Sequence, residues 1–235
     1  MRKIILKNKK LVSEKVALMI KEEIDKNPQT ILGLATGKTM IPLYKEIVKL
    51  YNQGKIDFSK ARTFNLDEYC GLDKNSKDSY YYFMKKHLFN KINIKDENIF
   101  FPTRNVKRFE KEIKNSGGIR LQILGVGING HIGFNEPGSD FKSKTRVVDL
   151  TKSTRKVNSR WFFSKKAVPK QAVTMGISTI LNAKKIVLVA TGKDKSKIIR
   201  EIFSLDSTKK IPATALNSHK NVLCFLDKSA SSKLI

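Results

Sequence analysis

The chain has 235 residues, 40% of them hydrophobic, with 47 Lys and Arg against 21 Asp and Glu and a formal net charge of +26. A chain of this length buries about 70% of the surface its unfolded form exposes, enough for a full core without disulfides or metals, and its apolar content excludes a disordered polycation. No run reaches the roughly 18 apolar residues that span a bilayer, the N-terminal apolar stretch is too short for a signal peptide, and Cys70 and Cys224 fit neither a disulfide framework nor a zinc spacing, so the expectation is a cytoplasmic protein with no membrane partner.

Apolar runs alternate with helical patterns along the chain. Ile4–Leu6 reads as a short strand, and Leu11–Ile24 as a helix through Val12, Val16, Met19, Ile20 and Ile24, ended by Asn27-Pro28. Thr30–Ala35 is a strand, a small-residue turn follows at Thr36-Gly37, and a helix runs from about Thr39 to Tyr51. A strand at Ala61–Asn65, a helix around Ser79–Phe89 and a short strand at Asn98–Phe101 come next. Leu121–Val126, Val147–Leu150, Lys185–Ala190 and Val222–Leu226 read as further strands, with helices at Ser153–Phe163, Gln171–Leu181 and Lys193–Phe203. This alternation predicts an α/β fold, a mostly parallel sheet with helices on both faces. Without repeats, low-complexity segments or linkers, residues 1–235 are expected to form one domain.

In open α/β sheets ligands bind outside the carboxyl ends of the strands, and three strand ends stand out. The first is Leu32-Gly33-Leu34-Ala35-Thr36-Gly37-Lys38-Thr39. The unpaired N–H groups of the helix that follows make an anion site, to which Lys38 and Thr39 add a cation and a hydroxyl. A Walker loop needs four residues between its glycines and Gly33 to Gly37 leaves three, which argues against a nucleotide hydrolase; a Thr-capped turn with no ligand is the plain alternative.

The second strand end, Thr63-Phe64-Asn65-Leu66-Asp67-Glu68-Tyr69, carries two adjacent carboxylates. Successive side chains of extended chain point opposite ways, so one acid and one bystander are expected rather than a pair in one pocket. The third is Leu124-Gly125-Val126-Gly127-Ile128-Asn129-Gly130-His131-Ile132-Gly133-Phe134-Asn135-Glu136-Pro137-Gly138. Its glycines satisfy G-x-G-x-x-G, but no helical period follows, so a dinucleotide fingerprint is not supported. His131 and Glu136 in such a loop read as an acid–base pair. His87 and His219 lie in less suggestive settings, and no metal site is indicated. A phosphate cradle, one carboxylate base and a His/Glu pair are equipment for proton transfer on a small phosphorylated molecule without a cofactor.

The charge invites a nucleic-acid reading. Yet only nine of the basic residues are Arg, the Lys residues are spread over nearly every segment, and neither a groove-reading helix nor a stacking motif is recognisable. No specific nucleic-acid partner is expected.

The motifs resemble those of the glucosamine-6-phosphate deaminase family, also called glucosamine-6-phosphate isomerases. The resemblance rests on Leu32–Gly37, Phe64-Asn65-Leu66-Asp67-Glu68-Tyr69-Cys70-Gly71-Leu72, Ser79–Met84, Gly130–Ser139, Thr145–Thr151, Asn158-Ser159-Arg160-Trp161-Phe162 and Val168–Ala172, collinear over nearly the whole chain. It implies a modified Rossmann-like fold and conversion of glucosamine 6-phosphate and water to fructose 6-phosphate and ammonia. It further implies Asp67 as the base at C2, His131 in ring opening with Asn129 and Glu136 holding it, and a sugar phosphate held by Thr36, Gly37, Lys38, Thr39, Arg160 and Lys195. Asn129 stands where many members carry Asp; it orients His131 by hydrogen bonding but brings no charge, so the imidazole pKa is expected lower than with Asp. The nearest rival is a 6-phosphogluconolactonase, whose ester hydrolysis does not need the Asp67 segment.

Overall fold

The structure, a computed structural model, describes residues 1–151, 154–155, 159, 162 and 168–234. In chain order the first half holds β1 (Arg2–Leu6), α1 (Lys9–Lys26), β2 (Ile31–Leu34), α2 (Met40–Asn52), β3 (Arg62–Asn65), β4 (Asp67–Tyr69), α3 (Tyr80–His87), β5 (Ile99–Phe100) and α4 (Val106–Asn115). The second half holds β6 (Leu121–Gly125), β7 (Arg146–Asp149), β8 (Gln171–Thr174), α5 (Ile177–Leu181), β9 (Lys185–Ala190), α6 (Ser196–Ser204) and β10 (Val222–Asp227).

Seven strands make one sheet in the order β1-β10-β9-β6-β2-β3-β5, with every neighbouring pair parallel. The central strands are short runs buried on both faces, such as Ile31–Leu34, which a parallel sheet between helical layers requires. Register puts Phe64, Gly33 and Gln122 on one face, where Phe64 meets Phe109 of α4 edge-on. Gly125, of opposite parity to Gln122, lies beside Met40 of α2, so α2 and α4 cover opposite faces. α1 packs on α2 and buries Val12, Val16, Ile20 and Ile24, a stripe of period four; Asn8 caps its start, accepting from Leu11 N at 3.0 Å, and it stops just before Pro28.

β3 lies on one side of β2 and β6 on the other, so the strand order reverses between β2 and β6. Such a switch point opens a crevice at the carboxyl ends of the two strands. The residues after β2 and after β6 therefore face one another across it. Beyond β3 the chain turns into β4, the first strand of a second sheet, antiparallel and ordered β4-β8-β7. Glu110 of α4 ties the two sheets together: one carboxylate oxygen accepts from Thr145 N (2.8 Å), Thr145 Oγ1 (2.5 Å) and Thr179 Oγ1 (2.6 Å).

The periodic segments fall where expected, with ends shifted by at most three residues. Besides the short β4, which no periodicity announces, three features differ. Gln171–Leu181 is not one helix but β8 followed by the five-residue α5, because β8 supplies the ladder for both β4 and β7 and Gly176 breaks the pattern between them. The expected strand at Val147–Leu150 is β7, in the antiparallel sheet rather than the parallel one. α4 was not anticipated; its apolar face is only Phe109 and Ile113, too sparse to stand out among Lys and Glu. Most of the expected helix Ser153–Phe163 lies outside the described residues.

Candidate active site

After β2 the chain passes through Ala35, Thr36, Gly37 and Lys38 to Thr39, which precedes α2. Gly37 has φ +106°, a conformation an L side chain rarely adopts, and Met40 N bonds back to Gly37 O at 3.0 Å. Thr39 makes no side-chain capping bond, so the Thr-capped alternative is not what forms. Thr36 and Thr39 are half-buried, while Gly37 and Lys38 are exposed. The first turn of this 13-residue helix thus lacks a side-chain cap at the rim of the crevice, an arrangement suited to an anion.

At the start of β4, just past β3, Asp67 and Glu68 separate as alternation requires. Asp67 is 6% exposed, and its carboxyl has no hydrogen-bond or ion-pair partner among the described residues. Burial, reinforced by the charge of Glu68, pushes its pKa up to about 8. Glu68 points the other way and accepts from Tyr69 N (2.8 Å), Tyr80 N (2.9 Å) and Tyr81 N (2.8 Å), while Ser79 Oγ accepts from Tyr82 N at 2.9 Å. The start of α3 is thereby satisfied by one carboxylate and one hydroxyl. Glu68→Ala leaves three backbone donors without that partner and is expected to destabilise the protein by about 2–3 kcal/mol, measured by urea unfolding. A loss below about 0.5 kcal/mol would refute this capping role.

The loop after β6 carries the imidazole. The side chain of His131 lies directly over Gly127: a Cβ there would fall 2.1 Å from Cε1 of the ring, so only glycine admits the imidazole at this place. Asn129 Oδ1 lies 2.6 Å from His131 Nδ1, and Asn129 Nδ2 donates to Glu136 Oε2 at 2.8 Å. The carboxylate only accepts, so the amide must turn its nitrogen to Glu136 and its oxygen to His131. Nδ1 then carries the proton and Nε2 keeps a free lone pair. Burial lowers the imidazole pKa, Lys195 lowers it further and Glu136 opposes both, so the ring is mostly neutral at pH 7. Burial is the main cause of the lowering.

Gly133, at φ +58°, lies against Asp67 and Thr174. A Cβ on it would meet Thr174 Oγ1 at 3.0 Å and Asp67 Oδ2 at 3.2 Å. The loop that holds His131 therefore packs directly on Asp67. Asn135 locks the same loop: it donates to Ile132 O and Met175 O, both at 2.9 Å, and accepts from Arg146 Nη1 at 2.8 Å.

Lys195, after β9, is 16% exposed at its side chain and acts electrostatically on His131, which places it at the same crevice. Arg160 lies outside the described residues. Two contributors were missed in the sequence: Thr174, directly opposite Asp67 across the β4–β8 ladder, and Thr154, whose hydroxyl donates to Glu136 Oε1 at 2.7 Å. Only the Thr151-x-x-Thr154 spacing, a helix-start pattern, pointed to the latter. Among the described residues no group of three or more His, Cys, Asp or Glu could hold a metal ion, and no helix is long and apolar enough to cross a membrane.

An open parallel sheet with an acid, an imidazole and an anion turn around its switch point defines a class, and comparison with known proteins specifies it. Residues 8–225 match the family of glucosamine-6-phosphate isomerases/6-phosphogluconolactonase, and the chain belongs to it. A glucosamine-6-phosphate deaminase of Mycoplasma mycoides subsp. mycoides is 49% identical, covering 100% of this chain and 98% of that protein. One from Clostridium botulinum is 46% identical over 100% and 99% of the two chains. The solved structure of a monomeric glucosamine-6-phosphate deaminase superposes with a TM-score of 0.95 at 37% identity, over 99% of this chain and 100% of that one. A 6-phosphogluconolactonase from Leishmania guyanensis, at 20% identity and a TM-score of 0.76, shares the fold.

Proposed function

We propose that the protein converts glucosamine 6-phosphate and water to fructose 6-phosphate and ammonia. The observation that carries this reading is Asp67: a carboxyl buried without a partner beside the loop of a neutral histidine, which ester hydrolysis alone does not call for. The full-length identity of 46–49% to proteins named as deaminases supports it.

In this reading the phosphate sits on the turn Thr36-Gly37-Lys38-Thr39 with Lys195, and Arg160 joins it by the resemblance of its motif. His131 Nε2 takes the proton of the anomeric hydroxyl and returns it to the ring oxygen, opening the sugar. Asp67 removes the C2 proton while the C1 aldehyde oxygen takes up a proton given up by the amino group, forming an enolamine; Asp67 then delivers its proton to C1, leaving an imine at C2. Water adds to that imine and ammonia departs, giving the ketose phosphate. Asn129 and Glu136 hold the imidazole throughout. The unpaired cysteines, Cys70 and Cys224, accord with a cytoplasmic location.

The purified protein is expected to release one ammonia per fructose 6-phosphate formed from glucosamine 6-phosphate, followed by coupled assays of both products. Folded protein that releases no ammonia, yet rapidly hydrolyses 6-phosphogluconolactone, overturns the assignment.

A further inference from the structure

We propose that Thr154 is a positioning residue, holding Glu136 against the amide of Asn129 and so keeping His131 in its Nδ1–H form with Nε2 free; this rests on the deaminase reading above. Thr151 Oγ1 donates to Thr154 Oγ1 at 2.9 Å, and Thr154 Oγ1 donates to Glu136 Oε1 at 2.7 Å. Asn129 Nδ2 donates to Glu136 Oε2 at 2.8 Å, and His131 Nδ1 meets Asn129 Oδ1 at 2.6 Å. Two donors thus converge on one carboxylate from opposite sides, one from each end of a directed chain of hydrogen bonds. Thr154 is itself fixed, its N–H donating to Thr151 Oγ1 at 3.1 Å and Arg155 N to Thr151 O at 2.9 Å, the start of a helical turn.

The need for a second donor follows from the distances. Glu136 Oε2 is 3.8 Å from His131 Nδ1, close enough that rotation of the carboxylate brings the two into direct contact. Held by Asn129 alone, the carboxylate is free to turn about its last torsion, because such a torsion is broad. With Thr154 on Oε1 the carboxylate plane is set, and an amide stays between the charge and the ring. A direct Glu136–His131 pair would favour the imidazolium, whose Nε2 has no lone pair to accept the anomeric proton. Among the described residues the charged groups that act on His131 are Glu136 from its own loop and Lys195 from the turn after β9, and Lys195 already opposes the imidazolium.

The experiment pairs kinetics with histidine ¹⁵N NMR on the wild type, Thr154→Val and Thr154→Ser, with His131 assigned from His131→Gln among the three histidines. In the wild type, His131 is expected as the Nδ1–H tautomer. Thr154→Val, which keeps shape and removes the donor, is expected to raise the His131 titration midpoint by about one pH unit and to lower kcat about tenfold. KM stays within about twofold, since Thr154 acts through Glu136 rather than on substrate. Thr154→Ser restores both. An Nε2–H tautomer in the wild type, a valine variant with wild-type titration and kcat, or a serine variant as impaired as valine would each overturn the proposal. The NMR arm needs no turnover, so absence of ammonia release from the wild type refutes the deaminase reading separately.

Discussion

Asp67→Asn is expected to lower ammonia release from glucosamine 6-phosphate by about 10³-fold or more while leaving the fold intact. The substitution keeps the shape of the side chain and removes only its capacity to take a proton. The carboxyl of Asp67 makes no hydrogen bond or ion pair with any described residue, so the fold gains nothing from its charge. Its pKa, raised to about 8 by burial and by Glu68, also sets the pH dependence of the wild type. The base must be ionised to act, and at pH 7 about a tenth of the free enzyme carries it in that form. The value of kcat/KM is therefore expected to climb about tenfold per unit below pH 7 and to level off above about 8.

Stability provides a check that does not depend on turnover. The carboxyl titrates near 4 in the unfolded chain and near 8 in the folded one, so between those values the folded state binds more protons. Its contribution to stability is fully present below about pH 4 and is lost as pH rises through about 8. Asp67→Asn removes that loss: the variant should exceed the wild type in stability at pH 8, and the gap should close towards pH 4. A variant that keeps more than a tenth of the wild-type rate removes Asp67 from the proton transfer, and a stability gap that does not change with pH contradicts the raised pKa.

Gly127→Ala is expected to cost about 100-fold or more in kcat/KM, although it adds a single methyl group at a position with ordinary backbone geometry. Its Cβ would lie 2.1, 2.2 and 2.5 Å from Cε1, Nδ1 and Nε2 of His131, so the whole ring must move. A displaced ring loses its bond to Asn129. Since Gly127 does not lie in the left-handed region, the backbone tolerates alanine, and the ring, 37% exposed, has solvent to turn into. Stability should change by less than about 1 kcal/mol. The loss should vanish in a His131→Gln background, because both changes remove the same group. A full additional 100-fold loss in the double variant would show that Gly127 acts on something other than the imidazole. Gly133→Ala differs in kind: its φ of +58° and its contact with Asp67 predict lost stability as well as lost rate.

Much of this site is legible in the sequence because strand ends announce themselves. A buried run followed by Thr36-Gly37, or by the Gly127 to Gly133 loop, has no packing reason to abandon its pattern. Alternation alone separates Asp67 from Glu68, and the structure turns the first into a buried carboxyl and the second into a helix cap. The antiparallel sheet was hidden by its composition. Ala172, Val173, Met175, Ile177 and Ile180 are compatible with a helical stripe, and only the pairing of β8 with two partners makes Gln171–Thr174 extended. α4 was hidden for the opposite reason, since two buried residues suffice to seat it against Phe64. The net charge, the most conspicuous property of the composition, contributes to the site described here mainly through Lys195 and the exposed Lys38.

The carboxyl and the imidazole belong to different sheets: Asp67 opens the antiparallel one, while His131 hangs from the parallel one. Neither ladder of hydrogen bonds fixes the gap between them. That spacing is a property of the seam, where Gly133 lies against Asp67, Asn135 bonds Met175 O and Arg146, and Glu110 ties α4 to Thr145 and Thr179. The carboxyl and the imidazole are thus aligned across a joint rather than within one ladder, and Glu110→Gln is expected to lower the rate by loosening that joint while both sheets stay intact.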